Sequence, residues 1–414
     1  MSSARRIPSE FRYWDHIESR RTRRLRRALE LLFRTDPRLP DELVRAWAES
    51  YYDADPVAEA YVEEVSLPQG QAEGRRWVDA ALRSGVESLP DAPASLRTLF
   101  REIETEPEWL DWRAVELGAK VFRGWGTHLF SFAGAITLEG YRENSVAKPL
   151  AFTGTYTGES ANRRFLETAS FWIDVAEPGA LRPGGAGRAT ALRVRLMHVF
   201  VRQRLLRHPS WDLAAWGVPI SQGDALLTLM GGSFVPGYGL KLLGYRTSRE
   251  EIEATLHFWR YVGHLMGVAP RFYPDSVERA LGLMFTSMVK GARGSGDDGK
   301  LLAQSYLASY LPNPTEAAAA RWRKRFEHGM QRGYVSWFVP PGTRAVYELP
   351  GPGLWRFLPL TEAPLVFARE TLRRRSPRFD ALWDERLRRA TKRWVRSHLG
   401  RESAEYRARE HFTR

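Results

Sequence analysis

The chain of 414 residues contains no cysteine. That absence excludes disulfides, thiolate-ligated heme, covalent CxxCH heme attachment, cysteine zinc sites and iron–sulfur clusters. A metal in this protein must be held by His and oxygen ligands. Long apolar runs are missing too: the most apolar stretch, residues 129–138, is far too short to span a bilayer. Arg5-Arg6 and Arg20-Arg21 look like twin-arginine pairs, but no apolar segment follows either, so the chain is expected to be cytoplasmic. Strand patterns are scarce. Only residues 336–339 (Ser-Trp-Phe-Val) and 344–347 (Arg-Ala-Val-Tyr) could pair, and prolines flank them.

Several catalytic signatures are absent as well. The nine histidines are His16, His128, His198, His208, His257, His264, His328, His398 and His411. No two lie three or four residues apart, so the paired-His helical zinc motif is missing. No Asp or Glu stands three residues before a His, which removes the Glu-x-x-His signature of helical di-iron bundles. There is no G-x-S-x-G elbow and no phosphate-binding glycine loop.

What is present is apolar mass with helical periodicity. Hydrophobic residues make up 43% of the chain, including 15 Trp, 15 Tyr and 20 Phe, enough for a sizeable core. Helical patterns cover about 16–34, 75–87, 94–105, 112–138, 160–177, 188–208, 221–231, 248–267, 275–291, 298–309 and 315–332. Leu25, Leu29 and Leu32 line one side of the first, and Asp41 is the expected N-cap of another helix that carries Leu43, Val44 and Trp47. Residues 340–364, with six prolines, read as an irregular connector. Beyond it Phe379, Trp383, Leu387, Ala390 and Trp394 form the stripe of a basic amphipathic helix expected to pack on the core. The fold class is all-α, with an N-terminal helical extension (1–99), a core (100–335) and a C-terminal connector with basic helices (336–414).

The net charge of +13 is concentrated at the two ends. Residues 1–27 hold nine arginines against three acids, and residues 370–414 hold fourteen basic residues against seven acids, so 28–369 is net neutral. A nucleic-acid enzyme would also carry positive charge around its working site, and none is expected here. Basic termini suit a solvated face, an acidic partner or an anionic membrane surface.

Single-histidine chemistry remains. His198 lies mid-helix among Val194, Met197, Val201 and Leu205, an apolar face that suits a porphyrin wall as well as a satisfied core histidine. Arg195 and Arg202 stand at i−3 and i+4, within reach of carboxylates, whether heme propionates or ordinary ion-pair partners. Arg164 and Thr168 share one helix face and could orient a ligand or simply form a polar flank. His257 and His264 are two turns apart, about 10 Å, too far to share one small ion, and read as core polar groups.

A string of motifs then runs in order. Arg195-Leu196-Met197-His198-x-x-Val201-Arg202 is followed by Trp216-Gly217-x-Pro219-Ile220-Ser221-Gln222-x-Asp224. Leu242-x-Gly244 comes next, then His257-x-Trp259-Arg260-Tyr261-Val262-Gly263-His264-x-Met266-Gly267-Val268. Gly140-Tyr141 and Thr153-Gly154-x-Tyr156 lie upstream. Together, over roughly 100–330, these resemble the family of mpaB oxygenases and latex-clearing rubber oxygenases. The resemblance implies a globin-like helical core holding heme b, with O2 used to cleave carbon–carbon double bonds in isoprenoids. It implies His198 as the iron ligand, Arg164 and Thr168 in the heme pocket, and Arg202 as a propionate contact. The family's rubber-cleaving pattern has a lysine before the pocket threonine and a glutamate upstream; here Glu167 and Lys148 stand there, with the charges exchanged.

The expected function is therefore a heme b oxygenase acting on a hydrophobic small molecule with O2, with Arg164, Glu167 and Thr168 as catalytic candidates and Glu167 as the distal base. The alternatives are peroxidase, monooxygenase or oxidative-cyclase chemistry on the same fold, or a non-enzymatic helical protein that docks on a membrane or partner through its basic ends.

Overall fold

The computed structural model describes residues 6–154, 160–268 and 270–399; Tyr156 and the tail from 400 on, with His411, lie outside them. Among the described residues there is no strand, only an isolated bridge between Phe11 and Gly291. Sixteen helices of nine or more residues carry the architecture. They are α1 (Arg20–Phe33), α2 (Asp41–Glu49), α3 (Gln71–Ser84), α4 (Ala94–Glu104), α5 (Trp112–Gly124), α6 (Gly126–Gly140), α7 (Asn144–Thr153) and α8 (Ser160–Val175). They continue with α9 (Ala186–Leu205), α10 (Gln222–Gly231), α11 (Arg249–Leu265), α12 (Val277–Lys290), α13 (Gly296–Ala308), α14 (Ala318–Phe338), α15 (Ala363–Arg375) and α16 (Pro377–Leu399).

Local chemistry sets several boundaries. Ser19 caps α1 by accepting from the Thr22 N–H at 3.1 Å, and Arg34 closes it in the left-handed region. Ser248 and Glu251 form a reciprocal capping box at the start of α11. The expected single helix over 112–138 is two: Gly126 takes φ +56 and separates α5 from α6. Asp41 opens α2 as its first residue, and Pro40 occupies the cap. The expected strands are absent. Residues 336–338 are the last turn of α14, and 344–346 belong to a short helix, Pro341–Val346, because Pro341 pre-sets helical φ at its first position. The Pro-rich connector is likewise a chain of short turns, including Gly353–Phe357 and Leu358–Thr361.

One buried cluster runs from Phe11 and Tyr13 through Trp47, Leu96, Phe122, Trp259 and Phe285 to Val395, so all three expected segments share a core. Helix α5 crosses α11 closely: a Cβ on Gly118 would overlap the Ala254 carbonyl and Phe258. The C-terminal stripe packs as expected: Trp394 stacks on Phe130 with centroids 5.1 Å apart. By length and composition residues 222–243 could cross a membrane, but they are interrupted after Gly231 and mostly packed inside the core.

Helix α9 is the organising element. Arg188, Arg195 and Arg202 recur every seven residues, all at most 5% exposed. Arg188 reaches the Tyr261 hydroxyl at 3.0 Å and the Ile103 carbonyl. Arg195 grips Asp55 through two bonds of 2.7 Å and also pairs with Glu102 at 2.8 Å. Three buried guanidiniums thus pin one face of α9 at three levels, and His198 lies on the helix between the second and third.

Candidate functional site

A cavity of about 1370 Å³ is enclosed by α1, α6 to α10 and α12. Ligand sites commonly occupy ~300–1,000 Å³, so this one has room for a large cofactor together with a substrate. Its walls are mainly apolar, with Phe130, Phe165, Trp172, Met197, Trp259 and Phe285 among them.

His198 lines this cavity. Its ring is partly uncovered, yet it lies so deep that burial, followed by the Arg202 charge, pulls its pKa down to about 4. The uncovered face therefore looks into the cavity rather than to bulk water. The imidazole is neutral and makes no hydrogen bond with the described residues, leaving a nitrogen lone pair available for a ligand. Among the described residues no three His, Asp or Glu side chains gather as a metal cage. One neutral imidazole facing an apolar slot fits a metal whose other positions are filled by a macrocycle.

Helix α8 brings Arg164, Glu167 and Thr168 to the same cavity. Glu167 is 5% exposed and accepts from Arg164 Nη1 at 2.5 Å and Arg163 Nε at 3.3 Å. Thr168 Oγ1 donates to the Arg164 carbonyl at 3.1 Å. The three candidates are therefore one unit: a carboxylate pinned by its own helix, with a hydroxyl on the next residue. The i, i+4 spacing made the Arg164/Thr168 pair legible in the sequence, but not the direction of Glu167.

The other expected contacts are occupied. Arg202 donates from Nε to the Pro219 carbonyl (2.9 Å), from Nη2 to the Ile220 carbonyl (2.7 Å) and from Nη1 to Glu59 (3.1 Å). Its guanidinium, which the resemblance assigned to a propionate, here ties α9 to the loop before α10. Ile220 sits at φ +53, a costly conformation for a β-branched residue. Arg195, also in the cavity wall, keeps one buried nitrogen, Nη1, without a partner. That is the better-placed donor for an incoming carboxylate. Lys148 pairs with Asp298 at 2.6 Å and is not part of the lining. The apparent charge exchange with Glu167 is thus no contact between the two. His257 and His264 are packing groups, as expected: His257 Nε2 accepts from the Asp111 N–H, and His264 stacks on Tyr261.

Two parts of the cavity were not assigned to the site by the sequence. A polar group of Glu143, Ser145, Ser221, Asp224 and Lys290 also lines it. Asp224 accepts from Ser145 (2.9 Å) and Ser221 (3.0 Å), and burial raises its pKa. Burial alone would discharge Lys290, but Tyr51, Glu143 at 3.7 Å and Asp224 outweigh it and hold the ammonium charged. The second part is the N-terminal wall. Thr22, Leu25, Leu29 and Phe33 of α1 face the cavity, whereas Leu32, expected on that side, is 74% exposed.

The chain matches the family model described as ER-bound oxygenase mpaB/B'/Rubber oxygenase, catalytic domain, over residues 119–374. It is 28% identical over 235 residues to the rubber oxygenase of Streptomyces sp. (strain K30), covering 55% of each chain, so the match spans about half the length of that relative. The structure is similar in fold to a latex clearing protein in its closed state, with a TM-score of 0.55, 20% identity, and coverage of 84% of this chain and 91% of that one.

Proposed function

Because the chain belongs to the mpaB/rubber oxygenase family, we propose that it is a heme b-dependent oxygenase that acts with O2 on a hydrophobic small molecule. The observation that carries the reading is His198: neutral, without a hydrogen bond among the described residues, and facing a large apolar cavity. The name of the relative, a rubber oxygenase, supports an isoprenoid as the substrate class and oxygenation as the reaction, for which the family resemblance implies cleavage of a carbon–carbon double bond.

The residues divide the work. When bound, heme b would supply the activation of O2. His198 would hold the iron, and Arg195 Nη1 would meet one of the cofactor's carboxylates. The aromatic walls exclude water and select an apolar substrate. Glu167 is the only carboxylate that α8 places in the wall, and its oxygens, oriented by Arg164, are the site for accepting a proton from the substrate. Thr168 Oγ1, held on the helix backbone, would add a polar atom to this stretch of the wall.

Purified protein expressed with heme supply should show a Soret band, and His198→Ala should lose it. Colourless wild-type protein without iron would sink the reading. Incorporation of both atoms of 18-oxygen-labelled O2 into cleaved product separates dioxygenase chemistry from peroxidase, monooxygenase or cyclase chemistry on the same site.

A further inference from the structure

Helix α1 has two opposed faces. The inner one, Thr22, Leu25, Leu29 and Phe33, closes the cavity, with Phe33 packed on Tyr238 at a centroid distance of 4.8 Å. The outer one carries Arg20, Arg23, Arg24, Arg27, Leu31 and Arg34, all exposed. At 100° per residue these centre on the side opposite the inner set. The acids nearby are already taken: Glu30 and Asp36 bind Arg26, and Glu18 binds Arg38. Arg20, Arg23, Arg24 and Arg27 form no ion pair among the described residues.

Two large apolar side chains stay exposed here, Leu31 within the outer face at 83% and Leu32 on the flank beside Arg21 at 74%. A solvated charged face has no use for them. The cavity also reaches the surface beside the same helix. Its exposed lining residues include Ser19 and Arg21 of the α1 entry and Met288, 45% exposed, on α12. Arg293, close enough to Arg21 for their charges to repel and facing Glu139 and Glu143 as well, donates to the Met288 carbonyl at 3.1 Å and adds a further guanidinium to the rim.

We propose that the outer face of α1 and this rim form a docking surface for an anionic phospholipid bilayer, which places the cavity mouth against the lipid phase. Arginines meet headgroup phosphates, and Leu31, Leu32 and Met288 enter the acyl boundary. Docking stands on charge and exposure alone. Delivery of apolar substrate from the bilayer additionally rests on the oxygenase reading. Duplex nucleic acid would satisfy the arginines but would leave the two leucines exposed, so lipid is the better complement.

The test is flotation of the full chain with vesicles of phosphatidylglycerol and phosphatidylcholine, against phosphatidylcholine alone. Binding should need the anionic lipid and weaken with salt. Each arginine near such a surface is worth roughly fivefold in partition. Arg20→Gln/Arg23→Gln/Arg24→Gln/Arg27→Gln should therefore reduce partition by about 100-fold or more. Removing four exposed charges from the other basic end (Arg375→Gln/Arg378→Gln/Arg386→Gln/Arg393→Gln) should cost less than about threefold, because that end is not at the surface. The cysteine-free background gives a second readout. A polarity-sensitive dye on Leu31→Cys should shift to the blue on anionic vesicles, and the same dye on Leu382→Cys, 73% exposed on α16, should not. Failure to float, equal loss from both quadruple variants, an unshifted dye at position 31, or binding to duplex DNA in place of vesicles would each overturn the proposal. Neither readout uses the Soret band, so a colourless protein that still floats would defeat the oxygenase reading and leave docking intact.

Discussion

The two ends of the chain carry nearly the same excess of positive charge, yet the structure uses them in opposite ways. At the C-terminal end many of the charges are met by the core, although Arg375, Arg378, Arg386 and Arg393 stay exposed with no ion pair among the described residues. Arg373 and Arg374 converge on Glu251 at 3.1 and 2.6 Å, and Arg388 and Lys392 on Glu177 at 2.5 and 2.7 Å. Acids on α16 return the contact, with Asp384 receiving Arg123 at 3.0 Å and Asp380 receiving Lys120. At the N-terminal end the α1 arginines face outward, and the helix spends its apolar side on the cavity. Net charge therefore says little about what a segment does. The side-chain partners decide it: a basic helix whose charges are met by its own protein is scaffold, and one whose charges are unmet is surface.

Three experiments sharpen or break this contrast. The largest effect belongs to Glu251→Ala, which removes both arginine partners and half of the α11 capping box. The expected destabilisation is about 2–3 kcal/mol in urea unfolding. The Glu251 pKa is lowered, since the Ser248 N–H and the two arginines outweigh burial, which alone would raise it. Its contribution should be complete above about pH 4.3 and be lost as pH falls through the depressed folded value. If Glu251→Ala unfolds with the wild-type midpoint, the C-terminal end is no better anchored than the N-terminal one.

An intermediate and opposite result is expected for the α1 quadruple variant. Its urea midpoint should match that of the wild type or rise slightly, since removing unmet like charges relieves repulsion. A clear fall would mean that those arginines are structural after all. The smallest effect concerns His398, whose pKa is raised first by its bond to Glu327. A raised histidine stabilises below its unfolded pKa of about 6.5 and loses that contribution as pH climbs through the folded value. The loss should be about 1 kcal/mol or less because the pair is partly solvated. It should vanish in His398→Gln, whereas a pH response unchanged by that substitution would remove this anchor.

Much of the helical framework was legible because a 3.6-residue apolar period is a local property. The i, i+4 pair of Arg164 and Thr168 was legible for the same reason, whereas no spacing fixed the direction of Glu167; His198 stood out once paired-ligand chemistries were excluded. What escaped was non-local. No spacing tells that Lys290 and Asp224, 66 positions apart, meet Glu143 in one cavity wall. None tells that Arg202 spends its donors on Pro219 and Ile220, because both depend on helix packing. The misread strands at 336–347 show the limit of short windows: four-residue apolar clusters fit either period, and the neighbouring long helix decided the outcome. The α1 stripe differed by one residue, Phe33 in place of Leu32, since both positions flank the inner face and only packing selects between them.

The brace between Arg202 and Ile220 has a consequence for how this chain can drift. A glycine at position 220 would hold the left-handed turn without the strain that isoleucine carries. With isoleucine there, the turn is upheld from outside by a guanidinium on the helix that bears His198. The two positions are therefore coupled, and both line the cavity that His198 faces.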